Sequence, residues 1–239
     1  MAASILIQNL CVQRGTFTLE VEQLAIEAGT VFAILGSTGS GKTVLLESIA
    51  GAFHIDDGWI QVDGRFVDEV PVQDRHLGIL YQDHALFPHM TVYENIAYGL
   101  KMRHVPKAEI EQRVTDMMEL LSITHVRSSL PGVISGGESQ RTALARALVL
   151  NPRVLLLDEP FSALDPVTKE RMYQTLKDIH ERFDCTIVFV THDFNEARTL
   201  ADTVGVVLNG KLCRICAAHE LFEATGVAEI DSFLGISVC

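Results

Sequence analysis

The sequence predicts an α/β fold with a mainly parallel sheet, and three observations carry that expectation. TVFAIL (30–35), RVLLLDEP (153–160) and TIVFVTH (186–192) are continuous apolar runs, the pattern of strands buried on both faces. These runs alternate with helical stretches along the chain, the order that builds a parallel sheet with crossovers. Residues 4–11 and 17–27 instead alternate polar and apolar side chains, as half-buried strands do. An antiparallel opening is therefore expected beside the parallel core.

The remaining elements follow in chain order. After TVFAIL comes GSTGSGKT (36–43), then an apolar helix, VLLESIAGAF (44–53). WIQVDGRFV (59–67) places Asp63-Gly64 between two short apolar runs, a hairpin signal. HLGILYQ (76–82) reads as another strand. From about 93 to 130 the chain is expected to be helical. Pro106 opens a segment there with a one-sided stripe of Ile110, Val114, Met117, Met118 and Leu121. The two methionines read as packing residues rather than a cofactor site. VISGGESQRTALARAL (133–148) then starts a helix on a Ser135-Gly136-Gly137 turn. Such a start presents bare backbone N–H groups and the positive end of a helix dipole, which suits an anion. A helix over about 167–183, the strand 186–192, a helix over 193–201 and the strand TVGVVL (203–208) complete the alternation. The tail after 210 is expected to hold a short strand pair and a helix around 218–224.

Composition narrows the function. The chain has 239 residues, of which 48% are hydrophobic and 21% charged, as in an ordinary globular core. A net charge of −12 argues against a protein that grips a phosphate backbone, which needs a basic face. It argues in the same direction against attraction to anionic lipid. No apolar run approaches the ~18 residues of a membrane span, and MAASILIQNL lacks the basic start and apolar core of a signal peptide. The 5 cysteines are scattered, which suggests reduced thiols rather than a disulfide framework. Cys213 and Cys216 form a lone CxxC, open to a zinc or redox role or to two small apolar residues on a strand.

One motif carries specific chemistry. Gly36-Ser37-Thr38-Gly39-Ser40-Gly41-Lys42-Thr43 fits G-x-x-x-x-G-K-[ST], preceded by a strand and followed by a helix as that phosphate loop requires. The glycines let the backbone curl so that successive N–H groups face phosphate oxygens. Lys42 can reach the β- and γ-phosphates, and the Thr43 hydroxyl can ligate Mg²⁺. Asp158 and Glu159 end the strand RVLLL, at the edge where α/β folds bind ligands. Asp158 suits Mg²⁺ held through water, and Glu159 suits polarising an attacking water.

With these parts placed, the chain resembles the ATP-binding-cassette (ABC) ATPases across nearly its whole length. The order GSTGSGKT, Gln82 in LYQDHALFPHMTVYENIAYGL, ISGGE, VLLLDEP, SALD and VTHD carries the resemblance. It implies a P-loop NTPase core (about 1–90 and 151–225), an N-terminal antiparallel β subdomain and a helical signature subdomain (about 91–150). All are expected within one nucleotide-binding domain over 1–239, with no C-terminal regulatory domain. The resemblance further implies that Gln82 senses Mg²⁺ and the γ-phosphate, and that His192 is the switch histidine contacting that phosphate. Asp165 matches the loop that crosses to a partner subunit. An aromatic residue should stack on adenine, and Phe17 is the candidate, with a core position as its alternative. Two copies are expected to pair head to tail, so that Ser135, Gly136, Gly137 and Glu138 serve ATP bound to the opposite copy.

ISGGE departs from the commonest form, LSGGQ, at Ile134 and Glu138. A Glu at this position is similar to the molybdate and tungstate importer ATPases. The implied function is ATP hydrolysis driving a membrane importer, with ATP and Mg²⁺ as cofactors and molybdate or tungstate as cargo. Sulfate, ferric iron and polyamine importers have similar ATPases and stay as alternatives. The implied partners are separate permease subunits docking around Phe87, Pro88, His89, Tyr93 and Tyr98, and indirectly a substrate-binding protein. The implied location is the cytoplasmic face of the membrane, as a peripheral subunit. A soluble cassette ATPase acting on nucleic acid or ribosomes is the rival class. It is disfavoured by the acidic balance and by the lack of heptads between Lys42 and Ser135. A small-molecule kinase would leave ISGGE, SALD and His192 unexplained.

Overall fold

The computed structural model describes residues 2–162 and 164–236. Two long strands, β1 (Ile5–Arg14) and β2 (Phe17–Ile26), form an antiparallel hairpin, and each buries every second side chain over much of its length. β4 (Asp57–Val62) and β5 (Arg65–Phe66) extend this arm, turning at Asp63-Gly64 as the sequence anticipates. The five-strand core is β9 (Thr203–Leu208), β3 (Val31–Leu35), β8 (Thr186–Thr191), β7 (Val154–Asp158) and β6 (Leu77–Leu80), in that spatial order and all parallel. β10 (Lys211–Ala217) pairs antiparallel with β9 and touches β2 through one parallel bridge, Lys211 to Glu20. That bridge makes arm and core one continuous sheet.

The apolar runs are explained by two cores on opposite faces. Phe32, Ile34, Leu156, Val188 and Val190 pack toward the arm, with helix α1 (Lys42–Ala50) filling the space between. Ala33, Leu35, Leu155, Leu157, Ile187 and Phe189 point the other way, into a core shared with the helices. Period-2 placement of apolar residues on both faces removes alternation from the sequence. The helices α2 (Val92–Met102), α3 (Lys107–Leu120) and α4 (Gly136–Leu148) bury their stripes in the second core, Met117 and Met118 included. α5 (Pro166–Phe183) and α6 (Phe194–Leu200) cover the same face.

Two local expectations need correction. The stretch 93–130 is not helical throughout. α2 ends at Met102, before His104 at φ 55° and Pro106, and beyond Leu121 only short 3₁₀ turns occur, at Thr124–Val126 and Pro131–Val133. Among the described residues the tail holds one strand, β10, instead of a strand pair; the expected helix around 218–224 is only a 3₁₀ turn at Ala218–Glu220, and the α-helix, α7, lies at Ala228–Phe233. Asp231 fixes that boundary by accepting bonds from the Thr225 and Gly226 N–H groups at 2.8 and 3.1 Å, with Gly226 at φ 76°. Cys213 and Cys216 both lie on β10, Cys213 exposed and Cys216 packing on the second core. Among the described residues no helix is long and apolar enough to cross a membrane.

Candidate functional site

The phosphate loop joins β3 to α1 at the carboxyl edge of the parallel sheet. The N-cap of α1 is Gly41 at φ 106°, with no side chain capping it and no acidic residue in the first turn. The orphan N–H groups of that turn and the positive dipole end are thus left without a protein partner in the cap. Gly36 cannot carry a Cβ, because the Val207 carbonyl occupies the space. Ser40 is 3% exposed, and its hydroxyl has no hydrogen-bond partner among the described residues.

Lys42, the first residue of α1, donates from Nζ to the Ser37 carbonyl at 2.9 Å. Burial pushes its pKa down, and the neighbouring Glu159 and Asp158 carboxylates oppose that fall. Thr43 donates its hydroxyl to Asp158 Oδ1 at 3.1 Å. Asp158 ends β7 and is 5% exposed; burial raises its pKa, the Thr43 hydrogen bond works against the rise, and Glu159 adds to it. Glu159 has φ 45°, a left-handed backbone unusual for a side chain of its size and the kind of strain that gathers at functional sites. Its Oε1 lies 3.4 Å from Nδ1 of His192, whose ring is 54% exposed.

A cleft of about 460 Å³ gathers Phe17, Thr38, Gly39, Gly41, Lys42, Thr43, Gln82 and Glu159 from four separate segments. Phe17 begins β2, and its ring closes over the loop: a Cβ on Gly41 would fall 2.8 Å from Phe17 Cζ. Arg14 also lines this cleft, its guanidinium 3.7 Å from the Phe53 ring centre. Sequence reasoning missed Arg14. Its signal was its place opposite Phe17 across a tight β1–β2 turn.

Ser135, Gly136, Gly137 and Asp165 do not join that cleft. They line a second groove of about 490 Å³ with Gln140 and Arg141. Ser135 and Glu138 form a reciprocal capping box on α4. The Ser135 N–H and hydroxyl donate to Glu138 Oε2 at 2.8 and 2.7 Å, and the Glu138 N–H donates back to Ser135 Oγ at 3.3 Å. His125 Nε2 lies 2.7 Å from the other carboxylate oxygen. These bonds, the Ser135 hydroxyl foremost, hold the Glu138 carboxyl down to about 2. Asp165 caps α5, accepting from the Val167 and Thr168 N–H groups at 3.1 and 3.2 Å.

Thr43, Asp158 and Gln82 offer hydroxyl, carboxylate and amide oxygens, the hard donor set that Mg²⁺ takes alongside water and phosphate oxygens. No cluster of three or more His, Cys, Asp or Glu placed to hold a metal occurs among the described residues, Cys213 and Cys216 included. The donors present thus fit an ion that completes its shell from water and substrate.

A parallel sheet with an uncapped phosphate loop at its edge, and an Asp-Glu pair closing the neighbouring strand, defines a P-loop nucleoside triphosphatase. The ABC transporter family matches residues 19–162, more than half of the chain, which therefore belongs to that family and is an ATPase. Over 231 residues the chain is 42% identical to a molybdate/tungstate import ATP-binding protein, WtpC, of Thermococcus kodakarensis, covering 97% of this chain and 70% of the relative. It is 40% identical over 234 residues to a probable sulfate/thiosulfate import ATP-binding protein, CysA, of Chlorella vulgaris, covering 98% and 99% respectively. A dimeric ATP-binding cassette in a post-hydrolysis state, bound to ADP and Pi, superposes with a TM-score of 0.79 at 26% identity, covering 90% of this chain and 98% of that one.

Proposed function

We propose that the chain is the energy-coupling subunit of an ABC importer whose cargo is an oxyanion, molybdate or tungstate. The observation that carries the subunit reading is the near full-length match to import ATP-binding proteins. Glu138 in ISGGE and the WtpC relatives favour molybdate or tungstate. The CysA relative, matched over almost its whole length, favours sulfate as the second reading.

The loop N–H groups of residues 36–41 and the Lys42 ammonium hold the phosphates, and Phe17 stacks on adenine. Thr43, Gln82 and Asp158 would hold Mg²⁺, which would neutralise charge on the phosphates when bound. Glu159 takes the proton of the attacking water, and His192, beside it, donates to the γ-phosphate. The second groove carries Ser135 and Gly137 but no phosphate loop, which supports a head-to-tail pair in which each groove closes on the other copy's nucleotide.

The surface after Gln82 suits a permease. Phe87 packs on Tyr98 with ring centres 4.7 Å apart, Arg146 lies over Phe87, and the buried Asn95 braces the loop by bonding both the N–H and the carbonyl of Phe87. That docking would hold the chain at the cytoplasmic face of the membrane as a peripheral subunit.

The test is uptake into proteoliposomes carrying the chain with the membrane subunit that co-purifies with it and the cognate binding protein. ATP-dependent uptake of molybdate or tungstate is expected, with less uptake per ATP in Phe87→Ala. Uptake of sulfate alone selects the second reading. ATP hydrolysis without uptake of any of these oxyanions overturns both.

A further inference from the structure

We propose that Lys169 is a positioning residue for ATP hydrolysis, locking the His192 loop to helix α5, whose N-terminus lies in the second groove. This rests on the reading of Glu159 and His192 as the hydrolytic pair. Lys169 is one turn into α5, four residues past its cap Asp165. Its ammonium reaches Asp193 Oδ2 at 3.1 Å and Glu196 Oε1 at 2.5 Å. Asp193 directly follows His192 and caps α6, accepting from the Asn195 N–H at 2.8 Å. Glu196 is 4% exposed and accepts the hydroxyl proton of Thr191, which directly precedes His192. The Asp193 N–H in turn donates to Thr191 Oγ1 at 3.0 Å. His192 is therefore flanked on both sides by residues bonded into one cluster centred on Lys169.

The same helix also grips the loop of the acid at position 159. Tyr173, one turn beyond Lys169, packs edge-on against the buried Phe161 with ring centres 4.8 Å apart. From α4, Gln140 donates its side-chain amide to the Pro160 carbonyl. Asp165 and Gln140 both line the second groove, so the helices that form it hold both loops of the hydrolytic pair. A buried carboxylate such as Glu196 needs a cation, and leaving it unpaired is costly. Burial alone would lower the Lys169 pKa, but its bonds to Glu196 and Asp193 reverse that and raise it well above the ordinary lysine value. Lys169 stays a cation throughout the working range of pH.

The experiment compares Lys169→Met, Lys169→Arg and His192→Ala in the full chain, at concentrations that sustain ATP turnover. Lys169→Met should lower kcat by at least ~10-fold, since small misplacements of reacting groups cost that much or more. KM for ATP and fluorescent-nucleotide affinity should change little, because Lys169 does not line the cleft that contains the phosphate loop. Lys169→Arg should restore most of kcat, whereas a packing defect would not recover on returning charge alone. Full kcat in Lys169→Met while His192→Ala is impaired overturns the inference and spares the site reading. Full kcat in both overturns the site reading and the inference with it. A loss in Lys169→Met that falls on KM as heavily as on kcat, and that Arg does not rescue, also overturns the inference.

Discussion

Glu138→Gln should make the chain less stable and at the same time strengthen its ATP-driven pairing. The side chain is 17% exposed, and one carboxylate oxygen accepts two bonds from Ser135 while the other meets His125. Gln keeps the geometry of a capping box but replaces charge-assisted bonds with neutral ones, which are roughly half as strong. It also removes a negative charge from the first turn of α4, where the dipole makes one worth ~0.3–1 kcal/mol. Together the loss at pH 7 is about 1–2 kcal/mol, or roughly 2–8 °C in melting temperature for a chain of this length. The sign with pH follows from the depressed carboxyl. Its stabilisation is complete above the unfolded value of 4.5 and is lost as pH falls toward about 2. The gap between wild type and Glu138→Gln should therefore be constant near neutrality and close below about pH 4.5. Calorimetric melting across pH measures this gap. Light scattering with ATP, in a Glu159→Gln background that does not hydrolyse it, measures pairing. There the Gln variant should associate at lower concentration, because a carboxylate no longer stands where the partner's triphosphate must enter. Equal melting at pH 7, or a gap that widens in acid, would refute the capping argument. Weaker pairing would refute the placement of Glu138 beside the nucleotide.

Two further outcomes test the cleft. Glu159→Gln should bind ATP normally and lose hydrolysis by roughly 10²–10⁴-fold, the usual share of a general base; single-turnover assays decide it, and near wild-type turnover removes Glu159 from that role. Gly41→Ala places a methyl 2.8 Å from Phe17 Cζ at φ 106°. It should cost ~1–2 kcal/mol in backbone strain and, if Phe17 stacks on adenine as proposed, weaken ATP more than inorganic triphosphate, measured by competition, because that ring must move; an equal loss for both ligands detaches Phe17 from adenine.

How much of this was legible beforehand depended on whether the cause was local. The phosphate loop could be read because its glycines, lysine and threonine act within eight consecutive residues. The buried strands could be read because both faces of β3, β7 and β8 are covered, which leaves unbroken apolar runs. The extent of helix after α3 was misjudged because Ser122 at φ 55° reverses the chain, and a serine carries no advance sign of a left-handed backbone. The tail helix was misplaced because its cap is Asp231 reaching back to Thr225 and Gly226, a signal that lies inside the helix rather than ahead of it. The Lys169 cluster was invisible for a different reason. Its partners Asp193 and Glu196 are brought near by packing, across separations that no spacing rule spans.

Under the proposed pairing, the two helix starts α1 and α4 differ in a way that sets an order of events. At α1 the cap is a glycine with no side-chain bond and no acid in the first turn, so the donors there are free for phosphate. At α4 the N–H and hydroxyl of the cap residue Ser135 are instead engaged by the chain's own Glu138. A phosphate oxygen arriving at the α1 cap meets no side chain bonded there, whereas one arriving at the Ser135 hydroxyl must displace an internal carboxylate. The first site can therefore hold nucleotide within a single chain. The second competes successfully only when that phosphate is already fixed and presented by another copy. Under the proposed pairing, nucleotide binding precedes association. Loss of the γ-phosphate then returns Ser135 to Glu138, a built-in substitute that keeps the opened groove satisfied.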